Sequence, residues 1–155
     1  MRHAAHGGPR EVIGAAIDAL GGAGLVVEAV SRTIASAPLG PSRRRYANAA
    51  AVVSSEAAPE EVLDRLQQIE RVFGRRRRGA RWRARVLDLD IVLWSGGPYA
   101  SERLVIPHPE FRARAFVLDP AAEIAAAWRD PVTGRTMRQL GARLSRAARL
   151  PRPLP

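Results

Sequence analysis

The stretch RVLDLDIVLW, residues 85–94, is the most hydrophobic run of the chain, yet Asp88 and Asp90 interrupt it. Successive side chains of a β-strand point to opposite faces of the sheet. A strand here places four apolar side chains on one face: Leu87, Leu89, Ile91 and Leu93. Both carboxylates fall on the other face, with Cα atoms about 6.6 Å apart. The stretch therefore predicts a strand with one core face and one acidic face.

The two carboxylates repel each other unless a positive charge lies between them. Mg²⁺ is usually bound through one or two carboxylates together with substrate phosphates, so a magnesium site is one explanation of the pair. The other explanation is a solvated face on which Asp88 and Asp90 pair with nearby arginines. The strand by itself leaves both explanations open.

An arginine-rich segment, RRRRGARWRAR at residues 75–85, leads directly into this strand and holds seven arginines in eleven residues. Such a run is often a nucleic-acid patch. Here, however, two acids follow it, and they would repel phosphate if no metal lay between them. Because arginine binds phosphate oxygens through a planar bidentate fork, arginines and a carboxylate-held Mg²⁺ together favour a clamp for a nucleoside triphosphate. Gly74 and Gly79 would let such a loop open and close.

The composition narrows the class of protein further. The 155 residues are enough for one domain with a buried core, and the net charge of +10 favours an anionic partner. All 25 basic residues are arginine, which excludes a Walker-type phosphate loop and Schiff-base chemistry, although a GC-rich genome also explains that preference. The lack of cysteine excludes disulfides and Cys-based zinc sites. Without a signal-peptide pattern or an apolar run of about 18 residues, we expect a soluble cytoplasmic protein with no membrane association.

The hydrophobic pattern of the remaining chain predicts alternating helices and strands. We expect helices over 11–20, 59–74 and 119–128, strands over 25–36 and 48–55, a loop over 107–116 and a weak helix over 138–150. The order helix, strand, strand, helix, strand is that of an α+β sandwich, an antiparallel sheet with helices on one face. We expect one domain over residues 1–143, followed by a basic, proline-rich tail over 144–155.

Four stretches, in this order, resemble the 6-hydroxymethyl-7,8-dihydropterin pyrophosphokinase family of folate biosynthesis. They are APLGP…YANAA (37–50), QQIERVFGRRRR (67–78), RWRARVLDLDIVLW (81–94) and ERLVIPHPEFRARAFVLDP (102–120). The most specific part is R-x-L-D-L-D-I followed about fifteen residues later by L-x-I-P-H-P. The resemblance implies a ferredoxin-like fold and an enzyme that transfers diphosphate from ATP to the hydroxymethyl group of the pterin, releasing AMP.

The resemblance also implies roles for particular residues. Asp88 and Asp90 match the pair that holds two Mg²⁺ ions, and with the loop arginines Arg77 and Arg85 they are the expected catalytic residues. The expected pterin-binding residues are Leu39, Tyr46, Asn48, Trp82 and Phe116, with Tyr46 and Phe116 on either side of the ring. The expected ATP-binding residues are Gln67, Glu70, Arg77, Arg85, Ile91, Arg103, His108 and Arg114.

The sequence departs from the family pattern in two places. The family opens with a strand that ends in Gly-Ser-Asn, whereas this sequence begins at MRHAAHGGP, where that motif should have finished. We therefore expect the first strand of the fold to be missing from this chain. In the arginine-rich loop, Arg83 and Ala84 replace the usual Gly-Pro.

The alternative function is a non-enzymatic RNA-binding domain, because ferredoxin-like sheets also bind RNA. Such a domain stacks bases on exposed aromatic side chains of adjacent strands. Aromatic residues make up only 5% of this chain, and the relevant sheet face carries acids. We therefore favour a monomeric enzyme acting on two small molecules, ATP and the pterin, with no nucleic-acid partner.

Overall fold

The computed structural model describes residues 7–36, 46–74 and 86–149. Over these ranges the helices are α1 (Pro9–Gly22), α2 (Pro59–Gly74), α3 (Ala115–Ala125) and α4 (Met137–Arg149), with a 3₁₀ turn over Phe111–Ala113. The strands are β1 (Val26–Val30), β2 (Ile34–Ser36), β3 (Tyr46–Asn48), β4 (Ala51–Ser54), β5 (Tyr99–Ala100) and β6 (Val105–Ile106). The predicted α+β class is confirmed. No helix in the described ranges is long and apolar enough to cross a membrane.

The strands form three antiparallel pairs, β1 with β4, β2 with β3, and β5 with β6. The single strands expected over 25–36 and 48–55 are each broken in two. At the break, the backbone N–H of buried Ser31 donates to the carbonyl of Ala50 at 2.9 Å, and the Ser31 hydroxyl accepts the Ala50 N–H at 2.8 Å. Because this hydroxyl takes the place of a backbone acceptor, both strands are interrupted at the same level.

The strand predicted over 85–94 forms no ladder in the part of the chain that the structure describes. Some of its backbone groups have other partners: the Leu89 N–H donates to the Glu70 carboxylate at 3.3 Å, and the Val92 carbonyl accepts the His108 N–H at 3.0 Å. The predicted alternation of faces is confirmed over residues 87–91, whereas Val86 and Val92, which alternation places on the acidic face, pack against the two cores. Leu89 and its apolar neighbours two residues away are partly buried, whereas Asp88 and Asp90 are exposed.

Two hydrophobic cores meet at this segment. The first lies between α1, α2 and the start of β1, and its buried residues are Val12, Ala16, Leu20, Leu25, Leu66, Ile69 and Phe73. The second lies between the 3₁₀ turn, α3 and α4, and its buried residues are Phe111, Leu118, Ala121, Met137 and Leu140. Leu89 packs against the first core and Leu93 against the second. The acidic segment is therefore held between the two cores.

Helix α2 agrees with its prediction at both ends, and Leu66, Ile69 and Phe73 form a buried stripe at helical spacing. Helix α3 does not: it begins at Ala115 instead of residue 119, so Phe116 lies on a helix and not in the predicted loop. Pro120 then falls inside the helix, where its ring removes one backbone hydrogen bond. Its neighbours Leu118 and Ala121 are both buried in the second core, and this packing offsets the loss.

Several predictions concern residues outside the described ranges. These are the roles of Leu39, Arg77, Trp82 and Arg85, the last residues of the tail, and the expectation that the first strand of the fold is missing ahead of α1. All of them stay predictions.

Candidate functional site

A cavity of about 920 Å³ lies between α1, β3, β4, α3 and the acidic segment 86–95. This volume is within the usual range for small-molecule sites. The predicted site residues that line it are Tyr46, Asn48, Asp88, Asp90, Ile91, Arg114 and Phe116. They come from three separate parts of the sequence, so the fold brings the predicted metal ligands and the predicted pterin residues to one cavity.

Asp90, in the acidic segment, lies next to His108. Oδ2 of Asp90 lies 3.9 Å from Nε2 of His108, whose side chain is 24% exposed. The other ring nitrogen, Nδ1, accepts the backbone N–H of Glu110 at 3.2 Å. A neutral His108 therefore carries its proton on Nε2, the nitrogen that faces Asp90.

Glu70 connects helix α2 to the acidic segment. Its Oε1 accepts the backbone N–H of Leu89, the residue between the two aspartates. This bond ties the backbone between Asp88 and Asp90 to a helix whose buried face belongs to the first core. The structure shows no strand ladder over residues 86–94, so the hydrogen bond from Leu89 to Glu70 helps to hold the two aspartates in place.

Arg103 lies against the outer face of α2, outside the cavity lining. Its Nη1 donates to Glu60 at 3.2 Å, and its Nη2 donates to Asp64 at 2.5 Å and to Gln67 at 3.4 Å. Hydrogen bonding to Asp64 raises the pKa of the Arg103 guanidinium. The structure thus brings together Arg103 and Gln67, two residues predicted to bind ATP. The sequence prediction missed Glu60 and Asp64, the two acidic partners of Arg103. The spacing of Glu60 and Asp64, four residues apart on one helix face, was the available signal.

Glu60 also connects α2 to the β5–β6 hairpin. It accepts the hydroxyl of Tyr99 at 3.3 Å and the hydroxyl of Ser101. Burial, followed by the charge of Glu60, raises the pKa of the Tyr99 hydroxyl. The hairpin that carries Arg103 is therefore fixed to the first turn of α2.

Arg114 caps the N-terminal end of α3, where its carbonyl accepts the N–H groups of Val117 and Leu118 at 3.0 Å each. Its guanidinium is paired with Glu110 and lies 5.6 Å from the ring centre of Phe116. Phe116 is the second residue of α3, and both Arg114 and Phe116 line the cavity.

Four predicted ATP-binding residues do not line the cavity: Gln67, Glu70, Arg103 and His108. Within the described ranges, no cluster of three or more histidine, aspartate or glutamate residues is placed to hold a metal ion. The acidic segment supplies two carboxylates on one side. That number suits Mg²⁺, whose remaining ligands are usually phosphate oxygens and water.

A family model described as 7,8-dihydro-6-hydroxymethylpterin-pyrophosphokinase matches residues 4–126, a range that includes all the predicted site residues. The match covers well over half of the chain. The chain belongs to this family of pyrophosphokinases, as its sequence resemblance indicated.

Curated relatives support the same assignment. The chain is similar to the 2-amino-4-hydroxy-6-hydroxymethyldihydropteridine pyrophosphokinase of Pseudomonas aeruginosa, with 44% identity over 136 residues, 85% of this chain and 82% of that protein. The protein of the same name from Bacillus subtilis is 35% identical over 123 residues, 79% of this chain and 73% of its own length. The one from Synechocystis is 41% identical over 118 residues, 76% of this chain but 60% of its own length. The match thus spans less than two thirds of the Synechocystis protein.

Proposed function

We propose that this chain transfers a diphosphate group from ATP to the hydroxymethyl group of 6-hydroxymethyl-7,8-dihydropterin and releases AMP, a step of folate biosynthesis. The observation that carries the proposal is the shared cavity: Asp88 and Asp90 line it together with Tyr46 and Phe116, in a chain of the pyrophosphokinase family. The triphosphate of ATP needs a polar edge of the cavity, and the flat pterin ring needs aromatic side chains.

The pterin site would lie between Tyr46 and Phe116, because a flat heterocycle stacks favourably against aromatic rings. Tyr46 is 41% exposed and both rings line the cavity, so a ligand can reach them. Asn48 lies in the same strand as Tyr46 and offers an amide to the polar edge of the ring. By resemblance, Leu39 and Trp82 complete this site.

The nucleotide would lie along the acidic segment toward α2. Arg114 and His108 would contact its phosphates from one side, and Gln67, Glu70 and Ile91 would contact it from the other. Arg103 is held by Glu60 and Asp64, so its contact with ATP requires exchange of a carboxylate partner for a phosphate. Arg77 and Arg85 would close over the triphosphate from the arginine-rich loop.

Asp88 and Asp90 would hold two Mg²⁺ ions, since two exposed carboxylates on one side of a segment suit a cation that also binds phosphate oxygens. Bound Mg²⁺ offsets the negative charge of the phosphate oxygens. In the transfer, the pterin hydroxyl oxygen forms a bond to the β-phosphorus while the bond from that phosphorus to the α,β-bridging oxygen breaks. AMP departs with this oxygen, and the hydroxyl proton passes to solvent. The side chains of the chain act by orienting both substrates and stabilising charge.

For the fold, we propose the ferredoxin-like sandwich of the family. Two findings support it: the element order α1, β1, β4, α2, and the packing of both helices against one core. We also propose a single domain over residues 1–143 with a tail over 144–155, a monomer, a cytoplasmic location, and no nucleic-acid partner. The family assignment leaves the RNA-binding alternative without support.

The test is AMP release from ATP by the purified chain. We expect release that depends on both 6-hydroxymethyl-7,8-dihydropterin and Mg²⁺, and none with a pterin that lacks the hydroxyl group. A filter-binding assay with RNA at physiological salt runs in parallel. Tight, magnesium-independent RNA binding without AMP release would overturn the proposal in favour of the RNA-binding alternative.

A further inference from the structure

An ion pair joins Arg112, on the 3₁₀ turn, to the fully buried Asp130. Nε of Arg112 donates to Oδ2 of Asp130 at 2.6 Å, and Nη2 donates to Oδ1 at 2.7 Å. Asp130 is 0% exposed. Its carboxylate also accepts the Thr133 hydroxyl at 2.7 Å and the Val132 N–H at 3.0 Å. Two parallel bonds from a planar guanidinium fix orientation as well as distance.

The Asp130 end of the pair is a closed turn. The Asp130 N–H donates to the Arg135 carbonyl and the Asp130 carbonyl accepts the Gly134 N–H, both at 2.8 Å. Gly134 has a φ of +72°, a conformation that a side chain disfavours. Directly after the turn, Met137 is 1% exposed in the second core. Asp130 is therefore an anchor held by local bonds on one side and by the core on the other.

The Arg112 end of the pair lies on the 3₁₀ turn that connects two site residues. His108 precedes Arg112 by four residues and Arg114 follows it by two. The guanidinium of Arg112 also covers the ring of Phe111, which is fully buried, at 4.6 Å from the ring centre. Neither end of the pair lines the 920 Å³ cavity. Any effect of the pair on the cavity must therefore pass through the residues that the turn carries.

We propose that the Arg112–Asp130 ion pair is a positioning device that sets the 3₁₀ turn, and with it His108 and Arg114, at the distance from the acidic segment that nucleotide binding needs. The inference rests on the proposed roles of those two residues toward ATP. The pterin side should depend less on the pair, since Tyr46 and Asn48 lie on β3, and Leu118 and Ala121 hold the helix that carries Phe116 in the second core.

A buried ion pair can often be replaced by apolar residues of similar volume without loss of stability. An apolar replacement of both residues can therefore test whether the pair positions the turn, apart from its effect on stability. The double variant Arg112→Met/Asp130→Leu keeps a packed contact but removes the oriented fork. Arg112→Lys keeps the charge and, because the Arg112 side chain is 30% exposed, should fold. Arg32→Met is the matched control, as it breaks the exposed pair of Arg32 with Glu123, whose atoms are 3.3 Å apart.

The experiment measures thermal unfolding, the KM values for ATP and pterin, and the Kd of a non-hydrolysable ATP analogue. We expect the double variant to stay folded at the assay temperature, with a lower unfolding temperature because the Val132 N–H and the Thr133 hydroxyl lose their acceptor, while its KM and Kd for nucleotide rise about tenfold. Its KM for pterin should stay within about twofold, because the pterin residues depend less on the turn. A lower fraction of folded protein would lower kcat without changing either KM. Arg112→Lys should show the same pattern more weakly, and Arg32→Met none of it.

Parent-like nucleotide constants in both Arg112 variants would overturn the inference, and so would an equal rise of both KM values. If the parent chain binds the analogue but releases no AMP, the proposed function fails, and the Kd values alone decide whether the ion pair positions the nucleotide site. A parent chain that binds no nucleotide would overturn both proposals.

Discussion

Replacing Asp90 by Asn tests whether the acidic face of segment 86–94 is a site for catalysis or a solvated surface. The side chain of Asp90 is 56% exposed, and its neighbour His108 lies 3.9 Å away. Loss of an exposed contact of this length changes the free energy of unfolding by about 0.5 kcal/mol or less. Relief of repulsion from Asp88 acts in the opposite direction. We therefore expect an intact fold.

The same substitution should nearly abolish diphosphate transfer. Asn keeps the size of the side chain but removes the negative charge that the proposed Mg²⁺ ions need. Loss of one preorganised electrostatic contact to a transition state costs about a hundredfold in kcat, or about 2.7 kcal/mol. The catalytic cost is thus about five times the largest stability cost, and a single pair of measurements separates the two.

The assay is the initial rate of AMP release at saturating Mg²⁺, ATP and pterin, next to urea unfolding of the same preparation. Asp18→Asn is the matched control, because Asp18 is exposed on α1 and outside the cavity lining. It should match the parent chain in both measurements. An Asp90→Asn rate within about threefold of the parent would refute the metal-site reasoning.

The remaining predictions concern the arginine-rich loop and the second core. Arg77→Ala and Arg85→Ala should lower kcat more than they raise the KM for pterin, since loop contacts to the triphosphate should strengthen toward the transition state. Steady-state kinetics would measure both constants, and a raised pterin KM at unchanged kcat would contradict this role. Leu118 is 0% exposed, so Leu118→Ala should lower the free energy of unfolding by about 2–5 kcal/mol in urea titrations, and a loss under about 1 kcal/mol would argue against its buried position. Hydrogen bonding to Arg112 holds the pKa of Asp130 well below its ordinary value of about 3.9. The contribution of this carboxylate to stability should therefore be complete above about pH 5 and be lost as the pH falls from about 4 through the lowered pKa. The urea midpoint of Asp130→Asn should accordingly fall less steeply with decreasing pH than that of the parent chain.

Sequence periodicity determined the local features of the site. The alternation of residues in segment 86–94 places Asp88 and Asp90 on the exposed side, because side-chain direction in an extended chain depends only on the position along it. The buried stripe of α2 followed from its 3.6-residue period for the same reason. The family assignment rested on motifs that are contiguous in sequence, and the match over residues 4–126 confirmed it.

Tertiary structure decided the features in which one residue meets another far along the chain. Ser31 interrupts its strand because its hydroxyl meets Ala50, and α3 begins at Ala115, ahead of Pro120, because the second core receives Leu118. The partner of Arg112 is Asp130, eighteen residues away, across the whole of α3. Neither helical nor strand periodicity relates such positions, since their contact depends on how α3 and α4 pack around one core. The cavity has the same origin, because its walls come from chain segments that only the fold brings together.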